Sequence, residues 1–154
     1  EDLSIHDLDT KGASYNNEWM DTHEEVYYFS YTGQTTSPNE LTKHHMPNLL
    51  TNPLIMQPAI FIGSFSRAGS SPVIDESWWP NDGLVSTVSS IHPVGHPADL
   101  YKEREDMKKG VWNYYPVRYE WDHLDQIGFT VAPYTDMNMF YEKAAGQLLA
   151  LPAR

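Results

Sequence analysis

Two ionisable residues in the second half of the chain have the types that acid–base catalysis uses. Asp82 lies in residues 78–88, and His123 follows about forty residues later in residues 121–128. An aspartate followed by a histidine is the order in which the acid and the base of one class of catalytic triad occur. In such a triad the histidine takes a proton from a nucleophile, and the aspartate orients the imidazole. The pair therefore indicates nucleophilic catalysis and calls for a nucleophile.

That nucleophile is not evident in the sequence. No Gly-x-Ser-x-Gly motif, in which a sharp turn exposes a serine, occurs anywhere in the chain. Ser64 and Ser66 lie near Gly63 but not at that spacing. The chain's own serines are therefore not assigned as nucleophiles.

Several histidines could suggest a metal site, but their spacing favours surface positions. His6 adjoins Asp7, and His44 adjoins His45, although adjacent residues in a loop are weak evidence of joint ligation. The remaining pair, at positions 92 and 96, is separated by a proline and a glycine, which deny it a helix. These residues alone do not predict a metal centre.

The composition excludes two classes of interaction. The chain has 21 acidic and 10 basic residues and a formal net charge of −11, whereas phosphate binding needs a basic surface. We therefore expect no nucleic-acid partner. No apolar run reaches the roughly 18 residues of a spanning helix, which predicts no transmembrane segment. Hydrophobic residues make up 40% of the sequence, enough for the core of one ordinary domain.

The pattern of apolar residues predicts the elements of the first half. Residues 26–31 are aromatic and β-branched without alternation, which is typical of a strand buried on both faces. Such strands belong to sheets covered by helices, so an α/β architecture is expected. Upstream, Asp9 or Thr10 is expected to cap a short surface helix that carries Tyr15 and Trp19.

The middle of the chain predicts irregular structure. Prolines recur every few residues between positions 34 and 71, so we expect a partly buried connection without long helices. An apolar wall beside a hydrophobic substrate is the alternative interpretation. Beyond it, residues 84–88 have an extended pattern, residues 99–110 predict a charged loop or short helix, and residues 110–117 predict another strand.

The chain is expected to end in an amphipathic helix. Apolar residues recur at helical spacing up to Leu151, and Thr135 and Asp136 suit the helix N-terminus. The predicted apolar stripe consists of Met137, Tyr141, Ala144, Leu148 and Leu151. We expect this helix to pack on a sheet as part of the scaffold.

Several segments, taken together and in order, resemble one enzyme family. They are DLDTKGA at 7–13, YYFSYTG at 27–33, NDGLVSTVSS at 81–90, HP at 92–93, KGVW at 109–112 and WDHLDQIG at 121–128. Their order and approximate spacing are similar to those of the C-terminal half of bacterial true lipases of the staphylococcal and thermoalkalophilic Geobacillus type. Residues 34–71 match that family poorly.

The resemblance implies an α/β-hydrolase fold, with a mostly parallel sheet flanked by helices, and secretion from the cell. Lipases of this family hydrolyse triacylglycerols and shorter esters with a Ser-Asp-His triad. Asp82 then matches the triad acid, and His123 matches the general base. The family's nucleophilic serine, oxyanion-hole N–H groups and lid belong to its N-terminal half, outside the segments that match.

The family resemblance also implies two metals. The family's zinc has two aspartate and two histidine ligands, of which Asp7 matches one and the N-terminal half supplies the rest. Its calcium is bound by an acid two residues after the catalytic histidine, which Asp125 matches, and by a second acid where this chain has Thr130. Loss of that carboxylate weakens the site unless Asp136 compensates. Without calcium, Asp125 would be a helix-cap or surface acid.

A chain with a few strands and several apolar faces would expose a sheet edge and an apolar face. We therefore expect residues 1–154 to be one half of a single catalytic domain, with no internal boundary and no independent fold. Our hypothesis is that the N-terminal half is a separate chain, produced by cleavage or by a split gene. That chain would supply the serine and the oxyanion hole for a lipid or ester substrate.

A non-enzymatic binding module is the competing interpretation. Ten tyrosines, five tryptophans and strong acidity would suit a carbohydrate- or protein-binding surface. An incomplete, inactive relative of the lipases is a third possibility. The lipase and the binding-module hypotheses predict different geometries, because only a triad requires Asp82 and the His123 ring to lie within hydrogen-bond distance.

Overall fold

The computed structural model describes residues 9–102, 107–130 and 137–152. In these ranges the α-helices are α1 (Thr10–Asn17), α2 (Met56–Ile62), α3 (Thr87–Ile91) and α4 (Met137–Leu149). The strands are β1 (Tyr28–Ser30), β2 (Gly33–Gln34), β3 (Thr36–Pro38), β4 (His45–Pro47), β5 (Ala98–Leu100), β6 (Trp112–Tyr114) and β7 (Arg118–Tyr119). Short 3-10 helices span Pro53–Ile55, Glu76–Trp78 and Asp125–Ile127. None of the helices described has the length and apolar character needed to cross a membrane.

A parallel sheet forms the centre of the fold. Its three strands are ordered β1-β6-β5, and Trp112 of β6 lies opposite Tyr28 on one side and Ala98 on the other. Farther along the same two chain segments, β2 pairs in parallel with β7, whereas β3 and β4 form an antiparallel hairpin. The connection from β1 to β5 contains α2 and α3, and this combination of a parallel sheet with helices confirms the predicted α/β class.

Buried Asn113 ties the middle strand to β1 and to the segment that leads into β6. Its side-chain amide donates to the carbonyl oxygens of Tyr28, Lys108 and Val111 at 2.9–3.2 Å. Its side-chain oxygen accepts the N–H of Lys108 at 2.9 Å. The polar group is 1% exposed but fully bonded, so its burial carries little cost.

Three predicted elements differ from the observed ones. The strand expected at 26–31 is reduced to β1, and its three residues are half-buried, so the described part of the chain does not fully cover its two faces. The charged run 99–110 begins inside a strand, because Asp99 and Leu100 pair with β6 as part of β5. Residues 84–88 are not a strand: Asn81 bridges to Ser86, and helix α3 starts immediately afterwards.

The prediction for the middle segment is confirmed, whereas that for the N-terminal helix is confirmed only in part, because α1 ends at Asn17 and does not include Trp19. Asp9 caps α1 by accepting the N–H of Lys11 at 3.2 Å, and Tyr15 of that helix is 64% exposed. Between residues 34 and 71 the longest helix is α2, with 7 residues. A hydrogen bond from the N–H of His45 to the carbonyl of Gly63 fastens the end of α2 to β4.

The C-terminal helix is shorter and more exposed than predicted. It ends at Leu149 instead of Leu151, and the proposed capping residues at 135 and 136 lie outside the described residues. Tyr141 and Leu148 of the predicted apolar stripe are 56% and 58% exposed, and no residue of α4 is buried. The helix therefore contributes little to a core within the described chain.

The best-buried side chains are mostly polar. Buried apolar residues in the described ranges are Ile55, Ala59, Ile74 and Trp121. Buried polar residues there are Thr32, Thr35, Thr36, Thr51, Asn52, Asn81, Asp82, Thr87, Asn113, Asp122 and Asp125. Because buried polar groups need hydrogen-bond partners, these residues mark the densest part of the hydrogen-bond network. Most of them lie around Asp82 and Asp122.

Candidate active site

Asp82 lies in a tight turn before α3, and it is only 2% exposed. Gly83 adopts φ +105°, a conformation that favours glycine, and a Cβ there would come 2.5 Å from Cδ1 of Ile55. The turn directs the N–H groups of Leu84 and Val85 at Oδ1 of Asp82, at 3.0 and 2.8 Å. These bonds fix the carboxylate and leave Oδ2 to accept from another donor.

Asn81 anchors the same turn from inside the protein. Its amide donates to the carbonyl oxygens of Ala59 and Trp79, at 3.1 and 2.8 Å. Its side-chain oxygen accepts the N–H of Gly83 at 2.9 Å, and its own N–H donates to Oγ1 of Thr36 at 3.0 Å. Asn81 is fully buried. These bonds connect the aspartate turn to α2 and β3, so the neighbouring carboxylate has a rigid support.

His123 meets Asp82 through both its backbone and its ring. The His123 N–H donates to the Asp82 carbonyl at 2.8 Å, and Nδ1 lies 2.9 Å from Oδ2 of Asp82. Since an ionised carboxylate only accepts, we assign the ring proton to Nδ1, which leaves Nε2 as an acceptor. Among the described residues no group hydrogen-bonds to Nε2, and the side chain is 41% exposed.

Electrostatics favour the protonated imidazole. The hydrogen bond to Asp82 raises the pKa of His123, and the negative charges of Asp82 and Asp122 add to that effect. Burial acts in the opposite direction but is outweighed. A raised pKa makes the ring a stronger base, and Nε2, which has no hydrogen-bond partner among the described residues, can accept a proton.

Two buried aspartates shape the loop that carries His123. Oδ1 of Asp122 accepts the N–H groups of Leu124 and Asp125 at 2.8 and 3.0 Å, and its Oδ2 accepts the N–H of Asn52 at 2.7 Å. In return, Oδ2 of Asp125 accepts the Asp122 N–H at 2.9 Å. Burial raises the pKa of Asp122, and repulsion from Asp125 adds to the shift, while the hydrogen bonds oppose it.

Gly33 lies where the aspartate turn and the histidine loop meet. A Cβ at this position would be 2.6 Å from the carbonyl oxygen of Trp121 and 3.5 Å from Cβ of Asp82. Contacts under 3.0 Å force atoms to move, and here the nearest atom is backbone. Glycine therefore allows the two loops to close over β2.

The substitution Gly33→Ala is expected to destabilise the protein by about 1–3 kcal/mol, because the added methyl overpacks this junction. It should also lower the thermal unfolding midpoint measured by circular dichroism. The control is Gly146→Ala in α4, where an added Cβ meets nothing within 4 Å and alanine is the better helix former. A Gly33→Ala variant as stable as the parent protein would contradict the close approach.

The candidate metal ligands differ in how far the structure describes them. Asp7 lies outside the described residues. Asp125 is 1% exposed and, unlike a surface acid, has a buried Oδ1 without a hydrogen-bond partner in the described part of the chain. Thr130 is half-buried. No group of three or more His, Cys, Asp or Glu among the described residues is arranged to hold a metal ion.

Asp82 and His123, both predicted from the sequence, thus come together, and three supporting residues had not been predicted as such. Asn81 and Gly33 lay in segments that match the lipase family, but neither had an assigned role. Asn52 carried no signal, because its bond to Asp122 spans 70 positions. Its amide also donates to the carbonyl of Phe129 at 3.2 Å, so it bridges both ends of the histidine loop.

Comparison with curated proteins finds staphylococcal lipases. The chain is 35% identical over 128 residues to a lipase of Staphylococcus hyicus, covering 83% of this chain and 19% of the relative. It is 31% identical over 134 residues to a lipase of Staphylococcus epidermidis, covering 82% of this chain and 17% of the relative. The chain therefore spans about a fifth of the length of these relatives.

Solved structures give the same result. The Staphylococcus hyicus lipase crystal structure superposes with a TM-score of 0.81 and 31% identity, over 93% of this chain and 36% of that one. EstA from Clostridium botulinum superposes with a TM-score of 0.79 and 33% identity, over 92% of this chain and 34% of that one. A family model described as "Lipase-like, C-terminal domain" matches residues 1–151, which confirms the resemblance to staphylococcal lipases. The chain belongs to the family of lipase-like C-terminal domains.

Proposed function

We propose that residues 1–154 supply the acid and the base of a Ser-Asp-His triad in a triacylglycerol lipase or related carboxylesterase. The observation that carries this proposal is the 2.9 Å hydrogen bond between Nδ1 of His123 and the buried Oδ2 of Asp82. It is supported by membership of a lipase-like family and by similarity to enzymes named lipases. A carbohydrate- or protein-binding module would give no reason for these two side chains to meet.

In this mechanism His123 moves one proton in each direction. As a serine Oγ attacks the ester carbonyl carbon, its proton passes to Nε2 of His123. The C–O bond to the leaving alcohol then breaks, and the imidazolium returns that proton to the alcohol oxygen. Water repeats the sequence on the acyl-enzyme and releases the carboxylic acid. Asp82 keeps the second ring proton on Nδ1 and stabilises the transient imidazolium.

The nucleophilic serine and the oxyanion hole come, in our proposal, from outside residues 1–154, on a separate N-terminal chain. Matched segments of the relatives make up only about a fifth of their length, which leaves room for such a part. Large side chains also stand exposed near the site, as Leu54 and Ile127 do at 71% and 74%. Apolar surface of this kind is typical of faces that another part of a protein covers.

The test is an assay of the intact protein, purified with whatever chain accompanies it, on a p-nitrophenyl ester and a triacylglycerol emulsion. We expect hydrolysis of both and a companion chain that remains bound through purification. Hydrolysis by residues 1–154 alone would refute the division of the triad. A preparation that retains its companion but hydrolyses neither ester would refute the enzymatic proposal and favour the binding module or the inactive relative.

We also propose calcium binding at Asp125. A buried carboxylate oxygen with no hydrogen-bond donor among the described residues suits a hard cation, and a cation there would offset the repulsion between Asp125 and Asp122. The remaining ligands would be carbonyls, waters or residues outside the described ranges. Bound calcium would hold the loop that carries His123 and would take no part in proton transfer.

Removing calcium is expected to lower the thermal unfolding midpoint of the intact protein. At a calcium concentration about 100-fold above Kd, the stabilisation would be about 2.7 kcal/mol. Asp125→Asn should abolish this response, whereas Asp21→Asn, a change at an exposed acid, should retain it. An unfolding midpoint that is the same in EDTA and in calcium would contradict the site.

Zinc, with Asp7 as one ligand and the others from the N-terminal half, stays a prediction. So do secretion of the protein and the absence of an internal domain boundary. A comparison of culture supernatant with cell extract by immunoblotting would test secretion.

A further inference from the structure

The C-terminal helix touches the histidine loop, residues 121–128, at two points. The ring of Phe140 lies edge-to-face against the indole of Trp121, with centroids 5.0 Å apart and planes at 70°. One residue later, the hydroxyl of Tyr141 donates to the carbonyl of Gln126 at 2.7 Å. These contacts bracket His123, two residues before it and three residues after it.

Trp121 is held by a cation as well as by the helix. The guanidinium carbon of Arg118 lies 3.7 Å from the centroid of the Trp121 ring and 5.3 Å from that of Phe140. No carboxylate in the described part of the chain forms an ion pair with this guanidinium. A cation over an indole is attracted by the ring's negative face. Arg118 belongs to β7, so the stack joins the sheet, the histidine loop and α4.

The indole has little freedom to move independently of the backbone. Trp121 is 5% exposed, and its carbonyl oxygen packs against Gly33 so closely that a Cβ would clash. Its neighbour Asp122 is tied to Asn52 and to the loop's own N–H groups. A shift of the indole therefore passes directly to the backbone that carries His123.

We propose that α4 positions the catalytic histidine, with Phe140 and Arg118 clamping Trp121 and with Tyr141 fixing the opposite side of the loop at Gln126. The proposal rests on the proposed role of His123 as general base. Phe140, Arg118 and Tyr141 are positioning residues, because they act through the loop and not on the substrate.

The exposure of α4 supports this role over that of a core element. None of its residues is buried, and Leu149 at its end is 88% exposed. Two of its aromatic residues, Phe140 and Tyr141, nevertheless contact the loop. Because catalysis depends on near-ångström placement of the base, a displacement of about 1 Å can reduce the rate about 100-fold.

The test uses the intact protein with its companion chain and a short soluble ester. Phe140→Ala is expected to lower kcat about 100-fold, and Tyr141→Phe, which removes only the hydroxyl, about 5- to 10-fold. KM should stay within about twofold, because the substrate contacts are unchanged. Phe140→Tyr keeps an aromatic face toward Trp121 and should retain most of the activity.

Matched controls separate positioning from general effects on the surface. Tyr119→Phe removes a hydroxyl from a 72% exposed tyrosine, and Leu149→Ala shortens an exposed residue of the same helix. Both should keep the parent kcat. If Tyr141→Phe and Phe140→Ala fold with parent stability and also keep the parent kcat, the positioning role is wrong.

A spectroscopic measurement distinguishes failure of this proposal from failure of the enzymatic one. The Nδ1 proton that His123 shares with Asp82 should give a downfield proton NMR resonance, which needs no turnover. We expect Tyr141→Phe to shift or broaden it, and Tyr119→Phe to leave it unchanged. An unshifted resonance in Tyr141→Phe would overturn the positioning proposal even if the parent protein is active. Absence of ester hydrolysis in the parent protein, with the resonance still shifted, would overturn only the enzymatic proposal.

Discussion

Replacing the proposed general base, in His123→Ala, is expected to lower kcat for ester hydrolysis by about 10⁵- to 10⁶-fold. Nε2 of His123 is the group free to take the serine proton, and no hydrogen-bond partner among the described residues competes for it. Without it the hydroxyl must lose its proton to water, which is a poor base. Residual hydrolysis would come from the oxyanion hole and substrate binding alone. The measurement is initial-rate kinetics on a soluble ester with the intact protein.

The control for that variant is His92→Ala. His92 is also half-buried, and its Nδ1 lies 2.8 Å from the carbonyl of Pro93, but it has no carboxylate partner among the described residues. We expect it to keep kcat within about twofold of the parent, since only local bonds are lost. A His123→Ala variant that retains a tenth or more of the parent kcat would refute the assignment of the general base.

Asp82→Asn is expected to lower kcat about 10⁴-fold while the fold survives. The asparagine oxygen can still accept the N–H groups of Leu84 and Val85, so the turn should keep its shape. The amide nitrogen, however, cannot accept the Nδ1 proton of His123. The imidazole then loses the bond that orients it and favours the tautomer with its proton on Nε2, which cannot act as a base.

The same variant should move the pH profile in a defined direction. The hydrogen bond to Asp82 is the largest cause of the raised pKa of His123, so its removal lowers that pKa toward the ordinary histidine value of about 6.5. Because the neutral imidazole is the active form, the acid limb of kcat/KM should move to lower pH. Asp99→Asn changes a surface acid that pairs with Lys108, and it should alter neither kcat nor the position of the acid limb. An unmoved limb in Asp82→Asn would contradict the pairing.

The meeting of Asp82 and His123 was predictable, because their residue types suit an acid and a base and the segments that carry them resemble those of a lipase family. The turn at Asp82 was predictable as well, since glycine at 83 is the residue that a φ of +105° favours. Local signals of this kind depend on a few neighbouring residues.

Other features depend on contacts between distant segments, which a single sequence does not reveal. Val85 and Thr87 have β-branched side chains that favour strands, yet the chain turns here, because the N–H of Thr87 bonds to the carbonyl of Pro80 and leads into α3. Likewise Asp99 lies in a charged run, and only the neighbouring strand β6 makes it part of β5. In each case tertiary pairing outweighed the local propensity.

The contact between the C-terminal helix and the histidine loop was the least predictable part of the site. Its periodic apolar residues predicted a helix packed on a sheet, and the helix is present from Met137 to Leu149. Periodicity marks which residues share a face, but not what that face contacts. The contact of Phe140 with Trp121 depends on the path of the histidine loop, which the carboxylate of Asp122 sets through bonds to Asn52 and its neighbours.

The most direct measurement is covalent labelling of the intact protein with a fluorophosphonate, followed by mass-spectrometric mapping of the modified residue. Such probes react preferentially with a serine whose hydroxyl is activated by a base. The triad assignment predicts one labelled serine, outside residues 1–154, and loss of labelling in both His123→Ala and Asp82→Asn. Labelling of a serine within residues 1–154, or labelling that persists in His123→Ala, would contradict it.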